Sequence, residues 1–445
     1  AGSRGRLLTT PPAQYTLHIS RATTGPSPTL IMKSLSNCEG GLLDELERIK
    51  EQNKVLNKDY ADNVSKYTAM RDQLDTRLKS VVMGLESSWL GVWRCLVSGA
   101  PPQQEHLIDT VRTAAASIDT LITDEQALQL VLAMSCSSVQ LSPQDLCNST
   151  RKPADLHTPV YCCQLRSTVG RILQKSVRSS EVGELCQALQ EVKDSFKEAR
   201  SSTRGPLVLI LDKSVVSLPW EATFSLRDQP VTRMPSLLSL YNLYQNQSQS
   251  PSSVFNSSID CSNGYYLLDP ESNLPRTQQR LAAAFSGTGW PGLVASKPEH
   301  HSFKHALTHS DVFMYVGHGS GSQYLPGELV EEVLCRAAVL LYGCSSVKLH
   351  PRGNIPDPWG VLLNYLIANC PCVVGMLWEV TDKDTDLLTG TMIQCMMAAK
   401  MGTLTEQNDI PSLVARSRHL CHRYLTATAI VVYGLPCSLR VARKT

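Results

Sequence analysis

The first forty residues of the chain show no regular spacing of apolar positions. They are rich in Ser, Thr, Pro and Gly, a composition typical of irregular segments. We therefore expect an irregular lead-in over residues 1–40.

From Gly41 the pattern becomes helical. As far as Leu85, apolar residues recur mostly at steps of three and four, with charged residues between them and no Pro. This is the spacing of an amphipathic helix, and it predicts one long helix or two end to end. Helical patterns return over 105–135 and 180–200. We expect 41–205 to be a helical region that packs on the rest of the chain, because so continuous an apolar stripe needs a covering surface.

After Ser201, short apolar runs that end in polar turns replace the helical period. Such runs are typical of strands buried on both faces of a parallel sheet. They are Pro206–Asp212, Tyr265–Asp269, Val312–Val316, Ala337–Tyr342, Cys372–Trp378 and Ala429–Tyr433. Because helix-like segments separate several of them, residues 206–445 predict an α/β domain with a mainly parallel sheet flanked by helices. The Asn-, Gln- and Ser-rich tract Gln245–Asp260 predicts an exposed loop.

The composition excludes several classes of protein. The 445 residues carry 42 Lys plus Arg against 40 Asp plus Glu, a net charge of +2, which does not suit a polybasic nucleic-acid binder. No run approaches the ~18 apolar residues of a membrane span, and no signal peptide is visible. The 15 cysteines include no CxxC pair, which indicates free thiols in a reducing compartment. We expect a soluble, intracellular chain, or a piece of one.

Two predicted strands end in reactive residues flanked by glycine. Val312–Val316 leads into His318, and Ala337–Tyr342 leads into Cys344. If these strands are parallel neighbours, both residues emerge at the same edge of the sheet, where functional groups collect. A cysteine can then act as nucleophile and the imidazole as its base. The main-chain N–H groups of Gly319 and Cys344 are candidate donors to a developing oxyanion.

Spacing alone also leaves open a purely structural role for both residues. A cysteine at a strand end is often only a small buried apolar residue, and a histidine among glycines is often only part of a turn. The glycine spacing is not that of a nucleotide-binding loop. The histidines at 300, 301, 305 and 309 lack the Cys or carboxylate partners of a metal site, so we expect neither a metal nor a cofactor.

The strings Phe313-Met-Tyr-Val-Gly-His-Gly-Ser-Gly and Leu341-Tyr-Gly-Cys-Ser-Ser resemble those of separases, caspase-like cysteine endopeptidases that open the cohesin ring at anaphase. Further stretches match in the family's order from about residue 206 to the end, and the Trp89–Trp93 region fits as well. They are Leu218–Glu221, Arg233–Ser236, Asn273–Gln278, Trp290–Gly292, Gly375–Asp382 and Tyr433–Pro436.

The resemblance implies a caspase-like α/β fold with Cys344 as nucleophile and His318 as general base. It implies cleavage after Arg, with an acidic residue preferred three positions earlier, in the kleisin subunit of cohesin. Implied partners are securin, as inhibitory chaperone, and a cyclin-dependent kinase with cyclin B. The implied location is cytoplasm and nucleus, including the mitotic spindle and centrosome. The long helical-repeat region that precedes the protease domain in family members is not part of this sequence, so regulation that depends on it does not carry over.

A substrate arginine needs a carboxylate in its pocket, because an unpaired buried guanidinium is very unfavourable. The stretch after the fifth predicted strand offers Asp382, Asp384 and Asp386. We favour Asp382 and then Asp384, with Trp378 as a wall, and expect at least one of the three acids only to cap the next helix. The alternative to an Arg-specific protease is a catalytically silent caspase-like domain that serves as an interaction module.

Overall fold

The computed structural model describes residues 14–23, 29–59, 64–101, 104–117, 121–135, 169–173, 185, 189, 204–352, 355–405 and 407–442. The chain divides into two compact units. One takes residues 1–49, 80–97 and 103–198, and the other takes residues 50–79, 98–102 and 199–445.

The first unit begins with a β-hairpin. Strands β1 (Gln14–Ala22) and β2 (Leu30–Glu39) pair antiparallel. The expectation of an irregular lead-in is wrong for these residues. Contacts made elsewhere in the unit stabilise the hairpin: Ile31 is fully buried, and the Arg21 guanidinium donates to the Leu96 carbonyl oxygen at 2.9 Å.

The long helical pattern corresponds to two helices, α1 (Gly41–Asp59) and α2 (Val64–Gly84). They lie side by side instead of end to end, as shown by the hydrogen bond that Arg71 of α2 donates to Asn53 of α1. A π-helical stretch Leu85–Leu90 and a 3₁₀ stretch Gly91–Val97 follow.

Two further helices, α3 (Gln104–Ser117) and α4 (Asp124–Ser135), match the predicted helical pattern over 105–135. They share one apolar core in the first unit. Most of the predicted 180–200 helix lies outside the described residues, but Leu185 and Leu189 are buried in that core.

The second unit is built on an eight-stranded sheet with the order β3-β4-β12-β11-β8-β7-β5-β6. Its strands are β3 (Leu207–Ile210), β4 (Val231–Met234), β5 (Gly264–Leu268), β6 (Gly292–Val294), β7 (Val312–Val316), β8 (Ala338–Leu341), β11 (Cys372–Met376) and β12 (Ile430–Gly434). A separate ribbon pairs β9 (His350–Arg352) with β10 (Ile355–Trp359).

All neighbours in the large sheet pair parallel except β11 and β12. Strands β11, β8, β7 and β5 are consecutive in the sheet and run the same way. Their carboxyl ends therefore meet at one edge. The predicted α/β architecture, a mainly parallel sheet flanked by helices, is confirmed.

The helices of the second unit after residue 204 are α5 (Leu237–Gln249), α6 (Val254–Ser257), α7 (Pro275–Thr288), α8 (His300–His309), α9 (Gly327–Val330), α10 (Val361–Ile367), α11 (Asp382–Lys400), α12 (Ile410–Ser417) and α13 (Tyr424–Ala427). Short 3₁₀ turns occupy Trp220–Ala222 and Arg418–Leu420. The predicted exposed loop over Gln245–Asp260 is wrong, because this tract holds the end of α5 and all of α6. Side chains explain the difference: Ser253 caps α6 at the Phe255 N–H, and Gln247 is buried.

Two strands differ from the sequence pattern for physical reasons. The predicted doubly buried strand at Pro206–Asp212 is the edge strand β3, which is partly exposed along its length. Strand β4 was not predicted, because its polar residues Thr232 and Arg233 interrupt the apolar pattern, although all four of its residues are buried. The Arg233 guanidinium donates to both carboxylate oxygens of buried Glu221, at 2.7 and 2.5 Å, and this pairing lets a charged residue occupy a central strand.

Candidate active site

His318 lies at the carboxyl end of β7, in the glycine-rich turn that follows Val316. Hydrogen bonds to the main chain hold this turn: the Tyr315 hydroxyl donates to the His318 carbonyl oxygen at 2.6 Å, and the Gln323 amide donates to the same oxygen at 3.1 Å. Gly319 has φ +64°, a conformation that favours glycine. The imidazole is exposed at the sheet edge and is therefore accessible to a substrate.

Cys344 follows β8, the parallel neighbour of β7. Ser345, directly after it, has φ +54°, and strained backbone of this kind collects at functional sites. The turn that carries Cys344 packs against the turn that carries His318, since a Cβ on Gly343 would lie 2.0 Å from the Gly319 carbonyl oxygen. Only glycine at position 343 allows this close approach.

The side chains of His318 and Cys344 line one cleft, so the predicted common edge is confirmed. The Nε2 of His318 lies 3.1 Å from the Oδ1 of Asn273. The Cys344 sulfur donates to the Val380 carbonyl oxygen at 3.5 Å and accepts the Val380 N–H at 3.4 Å. Among the described residues no hydrogen bond joins the sulfur to the imidazole, and the catalytic pairing of the two stays a prediction.

The surroundings of Cys344 favour the protonated thiol. Burial raises the pKa of the Cys344 thiol, and the carboxylates of Glu379 and Asp382 raise it further, while the Val380 N–H and the Arg71 guanidinium act in the opposite direction. A thiol with a raised pKa holds its proton at neutral pH, so the sulfur needs a base to become a nucleophile.

Asp382 and Asp386 share one face of α11, whereas Asp384 does not. Since α11 begins at Asp382, residues 382 and 386 are one turn apart, and both line the cleft. The buried Asp384 carboxylate accepts the main-chain N–H groups of His422 at 2.9 Å and Arg423 at 3.1 Å. Both oxygens of Asp384 therefore hold a neighbouring segment in place, and its role as a pocket acid stays a prediction.

Trp378 belongs to the protein core. Its side chain is 1% exposed, and its indole N–H donates to the Leu425 carbonyl oxygen at 2.9 Å. A role for Trp378 in the wall of the substrate pocket stays a prediction.

Only one of the two carboxylate oxygens of Asp386 accepts hydrogen bonds within the described part of the chain. Its Oδ2 accepts from the Arg280 guanidinium at 2.6 Å and from the Thr277 hydroxyl at 3.2 Å. Its Oδ1 is buried and has no hydrogen-bond partner in the described part of the chain. Burial raises the pKa of Asp386, against the opposite effect of Arg280 and Thr277. A buried, unsatisfied acceptor in the wall of a cleft is suited to a ligand that donates.

Residues 50–79, which span the end of α1 and most of α2, contact the wall of the cleft within the second unit. The Asn53 side chain, fully buried, donates to the Glu379 carbonyl oxygen at 2.8 Å. Further along, the Asp75 carboxylate accepts the Leu425 N–H at 2.8 Å. Residues 50–79 therefore help to fix the segment that bonds the Cys344 sulfur. The domain boundaries at 40 and 205 stay predictions.

Sequence reasoning overlooked Asn273 and Val380 as parts of this site. Asn273 follows the carboxyl end of β5, and the rule that selected His318 and Cys344 would have found it if the pairing of β5 with β7 were known. Val380 acts through its main chain, and an apolar residue gives no signal of that in a sequence. The predicted oxyanion donors, the N–H groups of Gly319 and Cys344, stay a prediction.

Within the described residues, no group of three or more His, Cys, Asp or Glu side chains is arranged to hold a metal ion. None of the helices in this part of the chain has the length and apolar character needed to cross a membrane. Each cysteine in the same ranges is a free thiol.

Comparisons with known proteins agree on one family. A model of the separin protease domain matches residues 16–385. Separin of Mus musculus is 31% identical over 379 residues, which cover 82% of this chain and 16% of the mouse protein. Separin of Schizosaccharomyces pombe is 30% identical over 450 residues, covering 94% of this chain and 24% of the yeast protein. The chain thus spans a quarter or less of the length of these relatives.

A solved structure shows the same fold. The separase of the Saccharomyces cerevisiae separase–securin complex superposes with a TM-score of 0.67 at 23% identity, covering 92% of this chain and 28% of the yeast chain. At that identity the likeness shows the fold alone. The family is shown by the sequence model, which matches most of the chain, and this chain accordingly belongs to the separin protease-domain family.

Proposed function

We propose that this chain is the protease part of a separase and hydrolyses peptide bonds after Arg. The observation that carries the proposal is the cleft itself, which brings together a thiol, an imidazole and a carboxylate with an unpaired oxygen. Cys344 and His318 are one chemical unit in this proposal, and Asp386 selects the substrate.

The order of proton transfers follows from the pKa of Cys344. Because burial raises that pKa, His318 takes the thiol proton as the sulfur attacks the carbonyl carbon. The Gly319 and Cys344 N–H groups receive the charge that develops on the carbonyl oxygen. The imidazolium then protonates the leaving amine as the C–N bond breaks. Finally, His318 activates a water molecule that releases the acyl group from sulfur.

The substrate arginine binds the face of α11 that carries Asp382 and Asp386. The Asp386 Oδ1 accepts one guanidinium N–H, and exposed Asp382, one turn earlier, offers a second carboxylate nearer to solvent. A guanidinium carries five donors and can bridge two acceptors, whereas a lysine ammonium is a compact point charge. Cleavage after Lys is therefore much slower than cleavage after Arg.

The substrate and partners in this proposal are those of the family. The substrate is the kleisin subunit of cohesin, with an acidic residue preferred three positions before the cleaved bond. Securin is the inhibitory partner, supported by the yeast separase–securin complex with which this chain shares its fold. A cyclin-dependent kinase with cyclin B is a further partner, and the protein acts in the cytoplasm and nucleus.

An active-site label and a substrate together test the proposal. The 445-residue chain is treated with an Arg acyloxymethyl ketone and, separately, incubated with a kleisin fragment. We expect one covalent adduct, on Cys344, and cleavage after an Arg. Cys344→Ser, the matched control, shows neither. A wild-type chain that is folded but neither labelled nor active favours the alternative, a caspase-like interaction module.

A further inference from the structure

The His318 ring faces a side-chain amide that has no part in the proton transfers above. Its Nε2 lies 3.1 Å from the Oδ1 of Asn273. An amide oxygen has no proton to give, so Nε2 must be the donor in this hydrogen bond. In the neutral ring the other nitrogen, Nδ1, is then the unprotonated one and is free to act as a base.

Asn273 is itself held in the orientation that presents its oxygen. Its side-chain nitrogen donates to the Glu271 carboxylate at 3.1 Å, and its main-chain N–H donates to the Asp269 carboxylate at 3.1 Å. With the nitrogen bound to Glu271, the amide oxygen is left turned to the imidazole. Two groups on the same loop therefore fix both the position and the rotation of this amide.

The loop that carries Asn273 is anchored to the strand that carries His318. Strand β5 pairs with β7 in the register Leu268 to Val316, and the Asp269 N–H donates to the Val316 carbonyl oxygen at 2.7 Å. Asp269 and Ser272 have φ values of +48° and +57°, which non-glycine residues adopt rarely. Strain of this kind persists where the surroundings over-determine a functional geometry.

We propose that Asn273 is a positioning residue that completes a Cys344–His318–Asn273 triad, an inference that rests on the proposed protease function. Asn273 keeps the proton on Nε2 throughout the reaction. The thiol proton moves to Nδ1 as the bond from sulfur to carbon forms, and it moves on to the leaving nitrogen as the C–N bond breaks. Without the amide oxygen, the ring adopts the other tautomer and other rotations, and fewer encounters are productive.

Substitutions at position 273 separate this role from a structural one. Asn273 is exposed, so Asn273→Leu keeps the approximate size of the side chain and removes the acceptor with little effect on folding. We expect kcat for an Arg peptide to fall about 10- to 100-fold, part of the roughly 10²- to 10⁴-fold that acid–base catalysis contributes. KM should stay within about twofold, because the substrate contacts are untouched.

A rescue variant makes the test specific. Asn273→Asp alone would place its carboxylate against that of Glu271. The double variant Glu271→Gln/Asn273→Asp avoids this contact and restores an oxygen that accepts from the His318 Nε2–H. Glu271→Gln alone is its control. We expect the double variant to recover most of the lost kcat. Equal kcat for wild type and Asn273→Leu, or no recovery in a folded double variant, overturns the triad. Failure of the wild-type chain to cleave overturns instead the proposed function on which the triad rests.

Discussion

At the scale of single residues, the reactivity of Cys344 depends on where its proton resides. Burial and the nearby carboxylates raise the pKa of its thiol, so the thiolate fraction at neutral pH is below that of an ordinary cysteine, whose pKa is about 8.5. We expect the alkylation rate of Cys344 by iodoacetamide to keep rising with pH above that value. Mass spectrometry of the peptide that contains Cys344 gives this rate.

Cys421 provides an internal comparison for the alkylation series. Burial raises the pKa of Cys421 to about 12, so its alkylation should be slower than that of Cys344 at every pH. A Cys344 rate that is already at a plateau in mildly acidic solution would instead show a resting thiolate–imidazolium pair and would contradict our order of proton transfers.

The three acids on α11 should respond differently to the same Asp→Asn change. Asp386→Asn removes the carboxylate whose Oδ1 is proposed to accept from the substrate. We expect kcat/KM for an Arg peptide to fall by about 2–4 kcal/mol of transition-state binding, the scale for truncating one partner of a buried charge pair. Asp382→Asn should have a smaller effect, because Asp382 is exposed. Kinetics on one fluorogenic Arg peptide compare the variants.

Asp384→Asn serves as the control for that series. It turns an amide nitrogen toward one of two main-chain N–H groups, so the expected effect is on folding, a loss of about 1–3 kcal/mol in the free energy of unfolding. Thermal denaturation measures it. If Asp382→Asn or Asp384→Asn abolishes the Arg preference while Asp386→Asn keeps it, the assignment of the pocket acid is wrong.

At the scale of elements, the turns after β7 and β8 pack through glycine backbones. In Gly343→Ala the new Cβ would lie 2.0 Å from the Gly319 carbonyl oxygen, so the two turns must separate. We expect loss of cleavage and a lower melting temperature. Gly287→Ala on α7, where nothing lies within 4 Å of the added Cβ, is the matched control and should be neutral or slightly stabilising. Normal activity in Gly343→Ala would show that the turns tolerate separation.

The Asn53 side chain links residues 50–79 to the segment beside Cys344. Asn53→Ala removes the donor to the partly buried Glu379 carbonyl oxygen, and leaving a buried carbonyl group unpaired costs up to about 1–3 kcal/mol. We expect a lower melting temperature and a lower kcat, since Glu379 immediately precedes the residue that bonds the Cys344 sulfur. Gln52→Ala, at the exposed neighbouring position on the same helix, should change little. Equal effects of the two changes would count against a specific role for Asn53.

At the scale of the whole molecule, the residues before 100 are expected to be needed for a folded protease. Residues 50–79 supply partners for main-chain groups of the second unit, such as the Leu425 N–H that bonds to Asp75. A fragment of residues 201–445 lacks these partners and should aggregate or lose its label with the Arg acyloxymethyl ketone. Size-exclusion chromatography and labelling check this, and a soluble, fully labelled fragment would contradict it.

The sequence by itself determined the fold class and pointed to Cys344 and His318 as the candidate reactive pair. The runs that became β5, β7, β8, β11 and β12 are short and almost wholly apolar, and only a doubly covered sheet can bury such runs. The glycines beside His318 and Cys344 drew attention to both residues. Two backbones can approach closely only where a residue has no side chain, and glycine is visible in a sequence. The resemblance to separases rests on the same strings.

Only the tertiary structure decided which residues lie beside that pair. The choice among Asp382, Asp384 and Asp386 depended on where α11 begins and on what covers each of its faces. Asn273 became relevant only when β5 was seen to pair with β7. Strand β4 was hidden because the Glu221 carboxylate pairs with Arg233. These facts depend on contacts that the sequence pattern does not display. The local pattern around a polar residue does not show which other residue it will contact. That contact decides whether the polar residue lies in the core, caps a helix or belongs to the site.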